Sequence, residues 1–124
     1  CEILLFLMGI KDPSPEVVEA IHCGVKWLRQ VQIKDVKLKR VPLTPDQIIN
    51  HEYPYDLVVV NDLKAEPIWA RFYEVTNNKP FMCTRAGEKV WRLADVDPER
   101  RTGYDWYGYW PKKVFEVYAK FISR

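Results

Sequence analysis

Histidine, cysteine and glycine are scarce in this chain of 124 residues, and each shortage closes off some chemistry. The two histidines, His22 and His51, and the three cysteines, Cys1, Cys23 and Cys83, form no zinc-ligand spacing. An odd cysteine count fits no closed disulfide framework, which leaves open one bridge plus a free thiol or three free thiols. His22 and Cys23 are adjacent on a predicted helix, where sequence neighbours point apart, so they make a poor catalytic pair. The five glycines are dispersed and build no phosphate-cradling loop. Long hydrophobic runs are missing too. Ile3 to Met8 is the longest, and crossing a bilayer takes about 20 residues, so no membrane partner is expected. Charge of one sign is also missing: 19 basic residues stand against 17 acidic ones, which argues against nucleic acid as a partner. No heptad series or internal repeat is present.

Apolar residues make up 48% of the chain, enough for a core in one domain of this length. The chain begins at Cys1, already inside an apolar segment, which predicts a removed leader or a piece of a longer chain. Aromatic residues reach 14% and are unevenly placed. Trp69, Trp91, Trp106 and Trp110 cluster in the second half with Tyr73, Tyr104, Tyr107, Tyr109 and Tyr118. Arg71, Arg85, Arg92, Arg100 and Arg101 are interleaved with them. Guanidinium groups pair with carboxylates in a planar, bidentate way, and flat rings stack on sugars or bases. The same mix also builds an ordinary core with arginines at its rim.

Periodicity predicts the elements. Glu2 to Met8 reads as the end of a buried helix, stopped by Gly9. Ser14 is a natural N-cap, with Pro15 at the first helical position and Glu16 at the positive end of the dipole. Val17, Ile21, Val25 and Leu28 then predict a helix from Pro15 to Val31, and Gly24 inside it predicts close packing against a neighbour. Ile33 to Arg40 reads as a lysine-protected edge strand, and Leu57 to Val60 as a short apolar strand. Trp69 to Val75 alternates, with Trp69, Arg71 and Tyr73 on one face and Ala70, Phe72 and Glu74 on the other. With Phe81 to Thr84 and Lys89 to Leu93 it predicts a small antiparallel meander. Asp97 is the expected N-cap of a short helix, and Gly103 to Gly108 reads as irregular. Trp110-Pro111 opens a last helix with its apolar stripe at Val114, Val117, Tyr118, Phe121 and Ile122.

Several strings go beyond periodicity: Trp69-Ala70-Arg71-Phe72-Tyr73-Glu74, Asn78-Lys79-Pro80-Phe81, Arg85-Ala86-Gly87, Glu99-Arg100-Arg101-Thr102-Gly103-Tyr104, Trp106-Tyr107-Gly108 and Trp110-Pro111. In this order they resemble the closing segment of family 10 pectate lyases. Phe6-Leu7-Met8, Pro13-Ser14-Pro15-Glu16-Val17-Val18, Ala20-Ile21 and Trp27 resemble the same family's helix pattern. The likeness is weakest from Gln32 to Tyr55.

The resemblance implies a mainly α chain, part of an α/α toroid of paired helices with a small antiparallel β meander attached. It would be a single domain over residues 1–124 or the C-terminal fragment of a larger catalytic domain. The implied activity is cleavage of polygalacturonate (pectate) by β-elimination. The implied cofactor is Ca2+, with the arginine base and the calcium ligands upstream of Cys1, so no metal ligand and no catalytic base is assigned here. Arg85 and Arg100 match arginines that look like substrate-carboxylate contacts. Arg71 is a weaker candidate, as is Arg101, since either could pair with Glu74 or Glu99 instead. Tyr104, Trp106 and Tyr107 are candidates to line the cleft. Where many members have Arg-Asp-Gly, this chain has Arg85-Ala86-Gly87, which deprives the turn of an acidic partner. The resemblance further implies a secreted or periplasmic monomer. The rival reading is a non-catalytic pectate-binding remnant of the same fold.

Overall fold

The structure is a computed structural model that describes residues 1–124. In chain order its elements are helices α1 (Glu2–Met8) and α2 (Pro15–Gln30), then strands β1 (Val36–Pro42), β2 (Tyr55–Asn61), β3 (Trp69–Ala70), β4 (Phe72–Tyr73), β5 (Pro80–Cys83) and β6 (Lys89–Val90). Helix α3 (Pro98–Gly103), strand β7 (Tyr107–Gly108) and helix α4 (Pro111–Ile122) complete it. The chain divides into two compact units, one of residues 1–32 with 109–124 and one of residues 33–108.

The first unit is a three-helix cluster of α1, α2 and α4. Helix α2 starts where its sequence predicts: Ser14 Oγ accepts from Val17 N at 3.3 Å, and Pro15 opens the first turn. Its apolar stripe buries Ile21, Val25 and Leu28, while α1 contributes Met8 and α4 contributes Val114 and Phe121. His22 Nδ1 and the Tyr118 hydroxyl are 2.7 Å apart, tying α2 to α4. Gly24 packs closely, as its position inside a helix predicted: a Cβ there would lie 2.6 Å from Leu4 Cδ2. Any side chain at 24 must therefore push Leu4 away from α2. Gly24→Val is expected to lower the melting temperature, and adding Leu4→Ala should recover part of the loss. A thermal double-mutant cycle reads this coupling; strictly additive melting shifts would refute the contact.

The second unit is built from three small antiparallel sheets, β1–β2, β3–β7 and β4–β5–β6. Its buried cluster is Met82, Leu93, Val96 and Trp106, with Leu38, Leu57, Val90 and Tyr107 packed against it. Val36 and Leu38 point inward from β1 while Lys37 and Lys39 alternate outward. This half overturns the expectation of a mainly α chain within a toroid of paired helices: seven strands accompany four α-helices. The physical reason lies in the middle segment, where β-branched and aromatic residues are broken every few positions by proline, asparagine or glycine. Such stretches close short strands and cannot hold a helix.

Several expected elements also change. The lysine-rich strand starts at Val36 instead of Ile33, because Ile33 makes its own bridge to Ile68 and Asp35 turns the chain with φ 65°. The Trp69–Val75 strand is two strands in different sheets. At Arg71 the backbone N–H donates to Trp106 O at 2.8 Å, and the chain then changes partner from β7 to β5. The strand at Lys89 ends at Val90, since Leu93 begins a 3-10 turn over Leu93–Asp95 that carries its side chain into the core. Tyr107 and Gly108, expected to be irregular, pair with Ala70 and Trp69.

Candidate functional site

The candidate residues gather around α3 and the segment that follows it. Arg101 fixes α3 to β2: its Nε and Nη2 donate to the two oxygens of Asp56 at 2.8 and 2.9 Å, and its Nη1 donates to Val96 O at 2.9 Å. Both side chains are largely buried. Burial alone would raise the Asp56 pKa. Hydrogen bonds from Arg101 and Leu57 N and the Arg101 charge outweigh it and hold the carboxyl below the usual range. Arg101 is thus committed to structure, and its partner is Asp56, not Glu74 or Glu99.

With Arg101 anchored, its neighbour Arg100 lies against the core. Its guanidinium carbon stands 5.6 Å from the Trp106 ring centroid. Trp106 is 4% exposed, and its Nε1 donates to Arg100 O at 2.9 Å, so side chain and backbone of one residue hold the other. Arg100 Nε is buried and has no hydrogen-bond partner. A buried guanidinium donor without an acceptor costs free energy unless a ligand completes it.

Tyr104 and Arg71 extend this group toward solvent. Tyr104 and Trp106 rings are 4.5 Å apart, and the Arg71 guanidinium carbon lies 5.0 Å from the Tyr104 centroid. Arg71 Nε also donates to Asp105 O at 2.9 Å. Trp106 packs in the core, and it meets the site through its contacts with Arg100 and, at a 55° tilt, with Tyr104. Tyr107, half-buried, packs against the same core, and burial raises its phenol pKa.

Arg85 reaches α3 from the opposite side of the chain order, at the β5–β6 turn. Gly87 has φ 85° and so closes this turn at little cost. Thr84 Oγ1 accepts from Glu88 N at 3.1 Å. The turn then docks on the start of α3 in two places. Arg85 N donates to Asp97 Oδ2 at 2.6 Å, and Arg85 Nε donates to Glu99 Oε1 at 2.7 Å. Asp97, the expected helix N-cap, makes no side-chain cap within α3 and serves the turn instead. The Arg85 hydrogen bond holds the Glu99 carboxyl below the usual range.

The structure therefore joins Arg100, Trp106, Tyr104 and Arg71 in a chain of successive contacts and links Arg85 to α3 through Glu99. Sequence reasoning missed Phe72, whose ring stacks on Tyr104 at 6.3 Å and 6°. Strict alternation from Trp69 put Phe72 on the face opposite Arg71. The break at Arg71 makes that alternation fail. The Asp56–Arg101 pair was also missed, because 45 residues separate its members.

Residues 1–115 match the profile of the family described as pectic acid lyase. The chain belongs to the pectic acid lyase family. Two solved structures are similar to it. A mutant family 10 polysaccharide lyase from Cellvibrio cellulosa, in complex with trigalacturonic acid, superposes with a TM-score of 0.71 and 25% identity, over 96% of this chain and 34% of that one. The family 10 polysaccharide lyase from the same organism gives a TM-score of 0.72 and 25% identity, over 96% of this chain and 33% of that one. The chain thus spans about a third of the length of the solved structures it matches. No curated protein matches it.

In this pectic acid lyase segment the Arg85-Ala86-Gly87 turn takes its acidic partners from the start of α3, where Asp97 and Glu99 receive it. The calcium implied by the family finds no seat here. No group of three His, Cys, Asp or Glu side chains stands where it could hold a metal ion. The residues of this chain do not fit a calcium site. All three cysteines are free thiols, and no helix is long and apolar enough to cross a membrane.

Proposed function

We propose that this chain supplies part of the substrate-binding surface of a pectate lyase, an enzyme that cleaves polygalacturonate by β-elimination. The observation that carries the reading is Arg100, whose guanidinium lies on the buried Trp106 ring with Nε buried and unpaired. The proton lost in the elimination lies α to a uronate carboxylate. Negative charge grows on that carboxylate as the proton leaves. A guanidinium already positioned against a ring meets that carboxylate with little reorganisation, so it stabilises the growing charge more than it stabilises the ground state. Arg85 takes a neighbouring carboxylate of the polymer, and the exposed part of Tyr104 borders the bound sugar. Arg71 orients Tyr104 and adds positive charge beside it.

The calcium dependence and the arginine base are carried as properties of the whole enzyme, with no residue of this chain assigned to either. Because the substrate is an extracellular polymer, secretion belongs to the same proposal. A second reading, a binding protein with no lyase activity, fits the same arginines and rings because none of them is assigned as a base. Absorbance of unsaturated product from polygalacturonate, measured on the full-length enzyme that contains this segment, separates the two. Product formation is expected there, while this segment alone binds pectate without cleaving it; pectate retention without product by the full-length protein would establish the binding reading.

Glu99 gives a finer test. It occupies Arg85 in the free protein, so a substrate carboxylate must share or displace it. Both partners are solvent-accessible, and such a pair adds little to stability. Glu99→Gln is expected to lower KM for polygalacturonate and leave the melting temperature unchanged. A raised KM would mean that Glu99 holds Arg85 in its working position.

A further inference from the structure

The outer face of the β4–β5–β6 sheet carries a row of rings that the Arg85 and Arg100 assignment does not use. Phe72 and Phe81 are opposite each other in the strand register, with centroids 5.7 Å apart and planes 25° from parallel. Phe81 meets the Trp91 ring edge-on at 6.4 Å. At the other end Phe72 stacks on Tyr104, so the row begins at the candidate site. Met82, next to Phe81 on β5, points the other way into the core, which leaves the row on the solvent side. Phe72 is 37% exposed and Trp91 is 42% exposed.

Cations sit over these rings. Lys79 Nζ is 4.4 Å from the Trp91 centroid and Lys89 Nζ is 4.5 Å from the Phe81 centroid. Lys89 is also ion-paired with Glu74, whereas Lys79 is in no ion pair. Contiguous exposed rings leave apolar surface in water, and such patches mark binding surfaces. Here the rings are accompanied by positive charge, which selects an anionic ligand with apolar faces. A uronic acid polymer has both features. The C–H face of a pyranose carries slight positive charge that meets the negative face of a ring. Its carboxylate takes an ammonium, and the flexible stem of Lys79 lets Nζ swing from ring to carboxylate.

We propose that the row Phe72–Phe81–Trp91, with Lys79, is a polyuronate-binding strip continuous with the arginine site at Tyr104. The inference rests on the proposed function, since it takes the same polymer as ligand. Only a chain long enough to lie across both the arginines and the row gains from the strip.

The test uses the intact protein with Trp91→Ala and Lys79→Glu, neither of which touches the arginine site. Affinity electrophoresis in gels containing polygalacturonate, and inhibition of polymer binding by trigalacturonate, are measured for each. Trp91→Ala is expected to weaken retention by the polymer about tenfold, the scale of one aromatic platform. Affinity for trigalacturonate should be unchanged. Lys79→Glu should weaken polymer retention as well, and Lys79→Arg should restore it. Lys79 is fully on the surface, so its variants do not depend on Trp91→Ala remaining folded. Wild-type retention with no loss in either variant overturns the strip and leaves the proposed function standing. Equal losses for polymer and trimer overturn it too, by placing these residues in the arginine site. Absence of any pectate retention by the wild type overturns the proposed function and the strip with it. Retention by single-stranded DNA in place of pectate does the same.

Discussion

Replacing Arg100 with alanine in the intact protein is expected to cut kcat/KM for polygalacturonate by about 100-fold, with little change in melting temperature. Removing one preorganised donor from a developing oxyanion typically costs about 100- to 1000-fold. The low end fits a site in which Arg85 offers a second guanidinium nearby. The fold should survive, because Trp106 Nε1 is held by the backbone oxygen of residue 100, and alanine keeps that oxygen. Removing the unpaired, buried Nε also relieves a desolvation cost, which works against any loss of stability. Lysine in the same place should recover little activity. Its ammonium lacks the planar fork that presents two parallel donors. Product absorbance on polygalacturonate measures the effect. Activity within a few-fold of wild type would remove Arg100 from the site and leave Arg85 as the main carboxylate contact.

Asp56→Ala should do the reverse: a large loss of stability that drags activity with it. Arg101 is 16% exposed and Asp56 17%, and the two share a bidentate ion pair. Taking away the carboxylate leaves a guanidinium nearly buried with only Val96 O as acceptor. Breaking such a pair costs about 3 kcal/mol or more. For a domain of this size that is roughly 10 °C in melting temperature. The pair also sets a pH dependence. The Asp56 pKa is lowered in the folded protein, so its contribution is fully present above the ordinary aspartate pKa of about 3.9. It is lost as pH falls below that value and through the folded pKa. Wild type should therefore lose stability steeply below about pH 4, while Asp56→Ala should show a flatter acid limb. Thermal melts at about pH 3, about pH 4 and about pH 7 make the comparison. Parallel acid limbs for the two proteins would show that the pair contributes nothing.

These two predictions differ in how far their residues were visible beforehand. Arg100 stands in a string whose likeness to family 10 pectate lyases is legible from residue order alone. Its unpaired Nε was not legible, since it depends on Trp106 folding beneath it. Asp56 carries no local signal at all. It sits in an apolar strand, and its role appears only when α3 is laid against β2. Arg71 lies between these cases. Its interleaving with aromatic residues was plain, yet its contact with Tyr104 arises because the chain changes sheets at that residue.

The helices show the local rule working. Ser14, Pro15 and the Val17–Ile21–Val25–Leu28 stripe specify α2 without help, because caps and 3.6-residue periodicity are short-range effects. Gly24 even announced its close neighbour. The strands show the rule working in part: the expected antiparallel meander is present as β4–β5–β6, but the strand pairings β1–β2 and β3–β7 were not legible. Segments as short as β3, β4, β6 and β7 have too few residues for alternation to identify their partners, and each is defined by a strand elsewhere in the chain. This is why a mainly α reading did not survive.

By itself, then, the sequence determined the helix starts, the family and the inventory of arginines and rings. Tertiary structure alone decided how those arginines divide. Arg101 is bound to Asp56, Arg85 is shared with Glu99, and Arg100 keeps an unpaired donor over Trp106. The physical reason is that a guanidinium's chemistry depends on its acceptors, and the acceptors come from residues distant in sequence.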